Sequence, residues 1–344
     1  MKDSKIKRFK LLPVSHFVSD ISYFSLFTFL MILLTSYFLL LTFSLYAGSG
    51  DEGKASAVFL KLDPSAQTAG FGSAYVARTD NVNSIYFNPA GLGFIDYYHG
   101  LFTYNDIFAD IDYNYVAFAM PLKQGRWGGL GIGVTLLDYG SMTRTQLNDN
   151  QPVTGLGTFS ADDLAVALSY GRKVMNEDLS LGITAKYVKE EIYTYDDNTF
   201  AVDLGLRWKT DVEGLTVGLT YRNIGGDLRF VREDDPLPRA FVGGFYYTKS
   251  FVQGRHKFGL AADVVAPNDG GTYAEVGGEY IFNDLFALRV GYNGQQEADA
   301  GLTLGGGFNF QNLSIDYAFV PYDELGDQHR VSLSLIFGYV SPKK

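Results

Sequence analysis

Between residues 96 and 340, apolar and polar residues alternate in one stretch after another. Successive side chains of a strand point to opposite sides, so each stretch has one apolar and one polar face. In Leu179 to Val188 the apolar set is Leu179, Leu181, Ile183, Ala185 and Tyr187, with Ser180, Gly182, Thr184 and Lys186 between them. Val202, Leu204, Leu206 and Trp208 alternate with Asp203, Gly205 and Arg207, and the last stretch sets Val331, Leu333, Leu335, Phe337 and Tyr339 on one face. About fourteen stretches fit, at 96–105, 111–122, 126–138, 156–172, 178–190, 198–209, 214–223, 237–249, 254–266, 271–282, 285–294, 299–310, 312–320 and 328–340. Most are near the ten or so residues that a tilted strand needs to cross a bilayer.

The breaks point the same way. Gln124-Gly125, Asn283-Asp284 and Gln311 are tight, while Gly140 to Gly155, Glu191 to Asn198, Gly225 to Pro236 and Pro321 to Asp327 are longer. With both ends of the barrel on the periplasmic side, every second break faces outward, and those are the ones expected to be long. The pattern predicts an all-β fold: a transmembrane antiparallel β-barrel of the outer membrane, closed over residues 96–340, with a short tail at 341–344 and outer-membrane lipid around it.

Composition agrees. Hydrophobic residues are only 47% of the 344, but 27 Phe, 24 Tyr and 39 Gly are high numbers. A barrel needs apolar residues on one side only, collects aromatics at both interfaces, and uses Gly where strands bend sharply. A soluble all-β protein could share these values; it has no reason to alternate short and long breaks. There is no Cys, hence no disulfide and no thiolate metal site. Net charge is −10, and the first 47 residues hold five of the 28 basic but only two of the 38 acidic residues, so the remainder is more acidic than the whole. Such a body is a poor nucleic-acid binder.

Lys2, Lys5, Lys7, Arg8 and Lys10 precede an uncharged, Phe- and Leu-rich run from Ile21 to Ala47, and Ala47-Gly48-Ser49-Gly50 follow. Positive, apolar, small is the order of a secretory signal. Residues 1–47 are expected to be an export segment cut near Ala47, although the apolar run is long and Leu45 is large for the position three before the cut. An uncleaved inner-membrane anchor is the alternative.

The polar register carries both signs of charge. Lys186, Asp203, Arg207, Arg222, Lys257, Asp263, Glu275, Glu279, Arg289 and Asp316 are all expected to face the lumen, where they are solvated or paired; a lipid-facing Arg or Lys would cost ~2–4 kcal/mol at the midplane. A structural lattice of ion pairs is one reading, and a ligand or ion path through the lumen is the other.

Residues 48–95 do not read as strands. They are expected to form a hatch, or plug, in the periplasmic mouth of the barrel. Phe59-Leu60-Lys61, then Ala69-Gly70-Phe71-Gly72-Ser73-Ala74-Tyr75-Val76-Ala77, then Asp80 through Asn88-Pro89-Ala90-Gly91-Leu92-Gly93 resemble the amino-terminal signature of the PorV/PorQ family of outer-membrane proteins. The Asn-Pro-Ala element is also similar to the hatch of FadL-type long-chain fatty-acid transporters. The resemblance spans about forty residues and departs from the family pattern at Ser73 and Phe87. It implies a FadL-like fourteen-stranded barrel with an amino-terminal hatch. The gate motif is then Gly70, Gly72, Asn88, Pro89, Ala90 and Gly91. Pro89 fixes φ and removes a donor, Gly91 frees the backbone, and Asn88 can bond its neighbours. These residues either lock a fixed turn or form a gate that moves.

An enzyme is not expected, and neither is a cofactor. Outside the leader the only histidines are His99, His256 and His329, which fall on different strands or at opposite ends of neighbouring ones. No nucleophile–base arrangement, metal-ligand spacing or phosphate loop is evident. Asp196-Asp197 and Glu233-Asp234-Asp235 read as solvated loop acids, with a weak Ca²⁺ site as the alternative. The resemblance implies a secretion-associated barrel of type IX kind, whose outer loops Gly140 to Gly155 and Gly225 to Pro236 bind secreted proteins or secretion-system components. The alternatives are a FadL-like transporter of hydrophobic small molecules and an outer-membrane structural protein with no transport role.

Overall fold

The computed structural model describes residues 53–107, 111–148, 151–153, 155–175, 177–230, 232–295, 301–321 and 326–338. The expected export segment, the tail at 341–344 and Tyr339 lie outside the described residues.

Fourteen antiparallel strands close on themselves. They are β1 (Tyr98–Ile107), β2 (Ile111–Pro121), β3 (Gly129–Thr143), β4 (Thr158–Met175), β5 (Leu179–Ile192), β6 (Tyr195–Lys209) and β7 (Leu215–Gly225). The rest are β8 (Ala240–Phe251), β9 (His256–Pro267), β10 (Tyr273–Phe282), β11 (Phe286–Asn293), β12 (Leu302–Phe310), β13 (Leu313–Val320) and β14 (Gln328–Phe337). Each strand pairs with its sequence neighbours, and β1 pairs with β14 to close the seam, Tyr98 opposite Phe337. Closure leaves no strand edge in lipid, where an unpaired backbone group would cost several kcal/mol.

The alternation is literal. Along β1, Leu101, Thr103, Asn105 and Ile107 are buried while Phe102, Tyr104 and Asp106 are exposed. Phe102, Val116, Ile132, Leu168, Leu181, Leu204, Phe258, Val290, Leu304 and Leu333 all stand on the outer surface. A continuous apolar belt of this kind is a lipid-facing surface and is not tolerated by a soluble monomer. At the seam Tyr98, Phe118 and Phe337 stack with centroids 5.5–6.3 Å apart, part of the aromatic girdle at that end.

The connections at the Tyr98/Phe337 end are short, which assigns this end to the periplasm by the rule that periplasmic turns are the short ones; the longest connections, 144–157 and 226–239, are at the other. One expected long break is absent. Glu191 to Asn198 is strand on both sides of a tight turn at 193–194, because β5 and β6 run on into water, where both faces become polar and the alternation disappears. The loops at 144–157 and 226–239 carry small hairpins, Gln146–Asn148 with Gln151–Val153 and Asp227–Leu228 with Asp235–Pro236.

The segment before β1 fills the lumen, and it does so over more of the axis than expected. The sequence predicts it in the inner mouth. Instead Ser56 N–H donates to Pro236 O at 3.0 Å, at the outer end, and Lys61 pairs with Asp269 in the outer 268–272 turn. From there the chain winds inward through short turns at Val58–Lys61, Ala66–Ala69, Ser84–Phe87 and Pro89–Phe94 and reaches the inner end at Ile95. It can lie in the mouth at both ends because it makes no regular element longer than two turns.

Candidate functional site

The interface between this hatch and the wall is built on glycine. Gly129, Gly171, Gly182 and Gly205 are opposite one another in register on β3, β4, β5 and β6, forming one inward-facing row. A Cβ on Gly171 would lie 2.2 Å from Pro89 O, one on Gly182 2.2 Å from Ala90 N, and one on Gly129 2.3 Å from Leu92 O. The Asn88–Leu92 motif therefore lies with its backbone directly on the bare wall. Around the other half, Gly218, Gly277, Gly291 and Gly305 do the same for Val76, Phe71, Gly72 and Gly70. No side chain fits between the two backbones, so glycine is required for close approach at these places.

Asn88 pins the motif. Its Nδ2 donates to Val76 O and to Leu206 O of the wall, both at 2.9 Å, and its Oδ1 accepts from Ala90 N at 3.2 Å, capping the turn that Pro89 begins. A Cβ on Gly91 would meet Thr79 O at 2.2 Å inside the hatch itself. Gly72 has φ +68° and Gly70 packs against Gly305, so both sequence-singled glycines lie at the wall contact rather than in a free hinge.

The charged residues tie the hatch to the wall as well as to each other. Lys186 pairs with Asp203 at 2.7 Å and donates to Asn223 Oδ1, while Asn223 N–H donates to Asp203 Oδ1. Arg289 pairs with Asp316 at 2.6 Å and lies 3.5 Å from Glu279. Asp263 accepts from Val76 N–H at 2.9 Å, Arg207 Nε donates to Ala77 O at 3.0 Å, and the Arg222 guanidinium lies 5.6 Å from the Tyr86 ring centroid. Glu275 is buried directly across from Asp263 on the neighbouring strand. Lys257 is at the inner rim, paired with Asp284.

Sequence reasoning missed the hatch's own charges. Arg78 pairs with Glu279 at 2.9 Å and lies 5.0 Å from the ring centroids of both Phe71 and Tyr75. Asp63 accepts from Ser73 Oγ at 2.8 Å and faces Arg330 at 3.6 Å; burial pushes its carboxyl above the usual range, against the pull of Arg330. An arginine set among small residues at Ala77-Arg78-Thr79 was the available signal.

Toward β2 and β3 the lumen carries an apolar cluster. Tyr113, Tyr115, Ala117 and Ala119 of β2, Leu137 of β3 and Val188 of β5 pack against Phe59, Leu60, Ile85 and Leu92 of the hatch. The lumen thus has an ion-paired network and an apolar cluster, and the hatch meets both. The histidines lie apart: His99 faces the lumen at the inner end of β1, while His329, bonded to Tyr317 OH, is exposed near the outer end of β14. Of the loop acids, Asp197 Oδ2 accepts from Arg229 N–H and Asp234 pairs with Arg229. Among the described residues no cluster of three or more His, Asp or Glu could hold a metal.

No family model matches this sequence, and no curated protein does. Solved structures do match in fold. The CymD monoaromatic hydrocarbon channel is 14% identical, with 80% of this chain and 96% of that chain covered and a TM-score of 0.51. The toluene transporter TodX of P. putida is 14% identical, with 78% and 97% covered and a TM-score of 0.51. The fold is FadL-like. With its lipid-facing belt and closed fourteen-stranded wall, the chain is an outer-membrane barrel. Its structural neighbours are channels, transporters and other barrels. None of them bears on PorV/PorQ membership, which rests on the amino-terminal motif alone.

Proposed function

We propose that this barrel carries hydrophobic small molecules across the outer membrane. The observation behind the reading is the apolar cluster of the lumen, where Tyr113, Tyr115, Leu137 and Val188 share one core with Phe59, Leu60, Ile85 and Leu92 of the hatch. An apolar molecule can replace Phe59 or Leu92 against the side chains of Ala117, Ala119 and Leu137, which need no hydrogen-bond partner. The polar sector holds the rest of the hatch in place while that happens. Two of the structural neighbours, a monoaromatic hydrocarbon channel and a toluene transporter, are in keeping with this reading. The secretion role, with secreted proteins or translocon components at the outer loops, has no structural observation in its favour.

The test is uptake. Cells lacking the gene should take up radiolabelled toluene, or a longer apolar compound, several-fold more slowly than wild-type cells, with recovery on complementation. Equal uptake of a panel of apolar compounds, with and without the gene, would overturn the proposal.

A further inference from the structure

At the inner mouth the ion-pair network leaves a cluster of three positive charges unmatched. Phe94, the last residue of the Pro89–Phe94 turn, has three cations beside its ring. Arg207 and Lys209 of β6 are each 4.4 Å from the ring centroid, and Lys173 of β4 is 5.1 Å away. Ser180 of β5 is in register with Lys173 on one side and Arg207 on the other, so the three form a row one step below the glycines. Among the described residues, none of these cations has a carboxylate within 4.0 Å. Asp80 and Asp178 act only from farther off.

Arg207 is 4% exposed, and its Nη1 has no partner among the described residues, although Nε is engaged by Ala77 O. Ser180 Oγ, fully buried, is also without one. Elsewhere in the lumen Lys186 meets Asp203, Arg289 meets Asp316 and Arg78 meets Glu279, while Arg222 lies over the Tyr86 ring.

We propose that this corner of the inner mouth binds an oxyanion, namely a phosphate group. Arg207 supplies a directed guanidinium donor, suited to a planar or tetrahedral oxyanion, and Lys173 and Lys209 supply charge. The face of Phe94 is a weak partner for the same three groups and keeps them gathered. The site takes a small group and not a protein surface, because Arg207 lies beneath the hatch. Two sources offer that chemistry: a soluble phosphate compound of the periplasm and the headgroup of an inner-leaflet phospholipid. Trp208, between Arg207 and Lys209, faces lipid and is 45% exposed, which sets the cluster at headgroup depth. The proposal does not depend on what the barrel transports.

The experiment titrates inorganic phosphate into the purified full-length protein in a maltoside detergent by calorimetry. A second arm uses dihexanoyl-phosphatidylglycerol. Saturable phosphate binding that the double variant Lys173→Gln/Lys209→Gln weakens roughly tenfold or more supports the site with a soluble ligand. Binding of the lipid alone, lost in the same variant, supports it with a lipid ligand. Lys257→Gln, at the same rim but outside the cluster, should bind as wild type does. Both variants are checked for heat-modifiable migration, and both lysines lie at the rim, so the barrel should fold. No saturable binding in either arm, or equal binding by the double variant, overturns the proposal.

Discussion

A β-carbon placed on Gly205 of the wall would lie 2.1 Å from Asn88 Oδ1 of the hatch. The Asn88 carboxamide and the Pro89 ring thus lie directly on the main chain of the wall, with no wall side chain beneath them. Gly205→Val or Gly182→Val should push the hatch off the wall, since overpacking of this kind costs about 1–3 kcal/mol or more. Proteoliposomes holding either variant should swell faster in small sugars than wild type. Gly278→Val is the comparison: its nearest neighbours are side-chain atoms at 3.6 Å or beyond, on the outer surface, and swelling should not change.

Asn88→Ala removes the donations to Val76 O and Leu206 O together with the cap on Ala90 N–H. Leaving those buried groups unpaired should cost about 1–3 kcal/mol of hatch docking. Arg78 is buried within the hatch, so trypsin cleavage there reports undocking. The variant should be cut faster than wild type in detergent while the barrel keeps its heat-modifiable migration. Equal rates would mean that the glycine contacts alone hold the motif.

Lys186 and Asp203 are both buried, at 6% and 0% exposure. Lys186→Met strands a carboxylate and should destabilise the barrel by about 3–5 kcal/mol, whereas Lys186→Met/Asp203→Leu should recover most of that loss. Unfolding midpoints in detergent distinguish the two. A double variant as unstable as the single one would mean that Asn223 and its neighbours, not the ion pair, set the cost.

Arg289 and Val290 are adjacent on β11 but face opposite ways, the first buried at 6% and the second 52% exposed to lipid. Val290→Arg should therefore cost about 2–4 kcal/mol near the midplane. Urea-dependent folding into vesicles measures it. Folding as stable as wild type would place this part of β11 outside the bilayer.

Val58 is 53% exposed and two residues from Ser56, which is tied to the outer 226–239 loop. The chain has no natural Cys, so Val58→Cys gives a clean label. A membrane-impermeant maleimide should modify it on whole cells, and should leave Glu213→Cys, in an inner turn, unmodified until the outer membrane is broken. The reverse pattern would invert the orientation.

All fourteen strands were legible because each carries its own local alternation. Their ends were less so: β3 runs on to Thr143 and β6 starts at Tyr195, inside the stretches Gly140 to Gly155 and Glu191 to Asn198 that the sequence reads as breaks. Inward residues such as Lys186 and Asp203 could be read from register within a strand. Their pairing could not, because it depends on the stagger between strands. The path of the hatch was the least legible part. Its wall contacts run through Gly129, Gly171, Gly182 and Gly205, and a residue without a side chain leaves no hydrophobic or charged signal. The unmatched cations at Phe94 were hidden for a related reason, since Lys173, Arg207 and Lys209 look like ordinary strand-end charges until the turn that carries Phe94 is set among them.

The row of glycines also fixes what remains if the plug shifts. Side chains elsewhere on the inner wall would close in behind a departing segment. Here there is only smooth main chain from β3 to β6, so a small displacement of Asn88–Leu92 bares a shallow chute along the wall, already as wide as the backbone that vacated it.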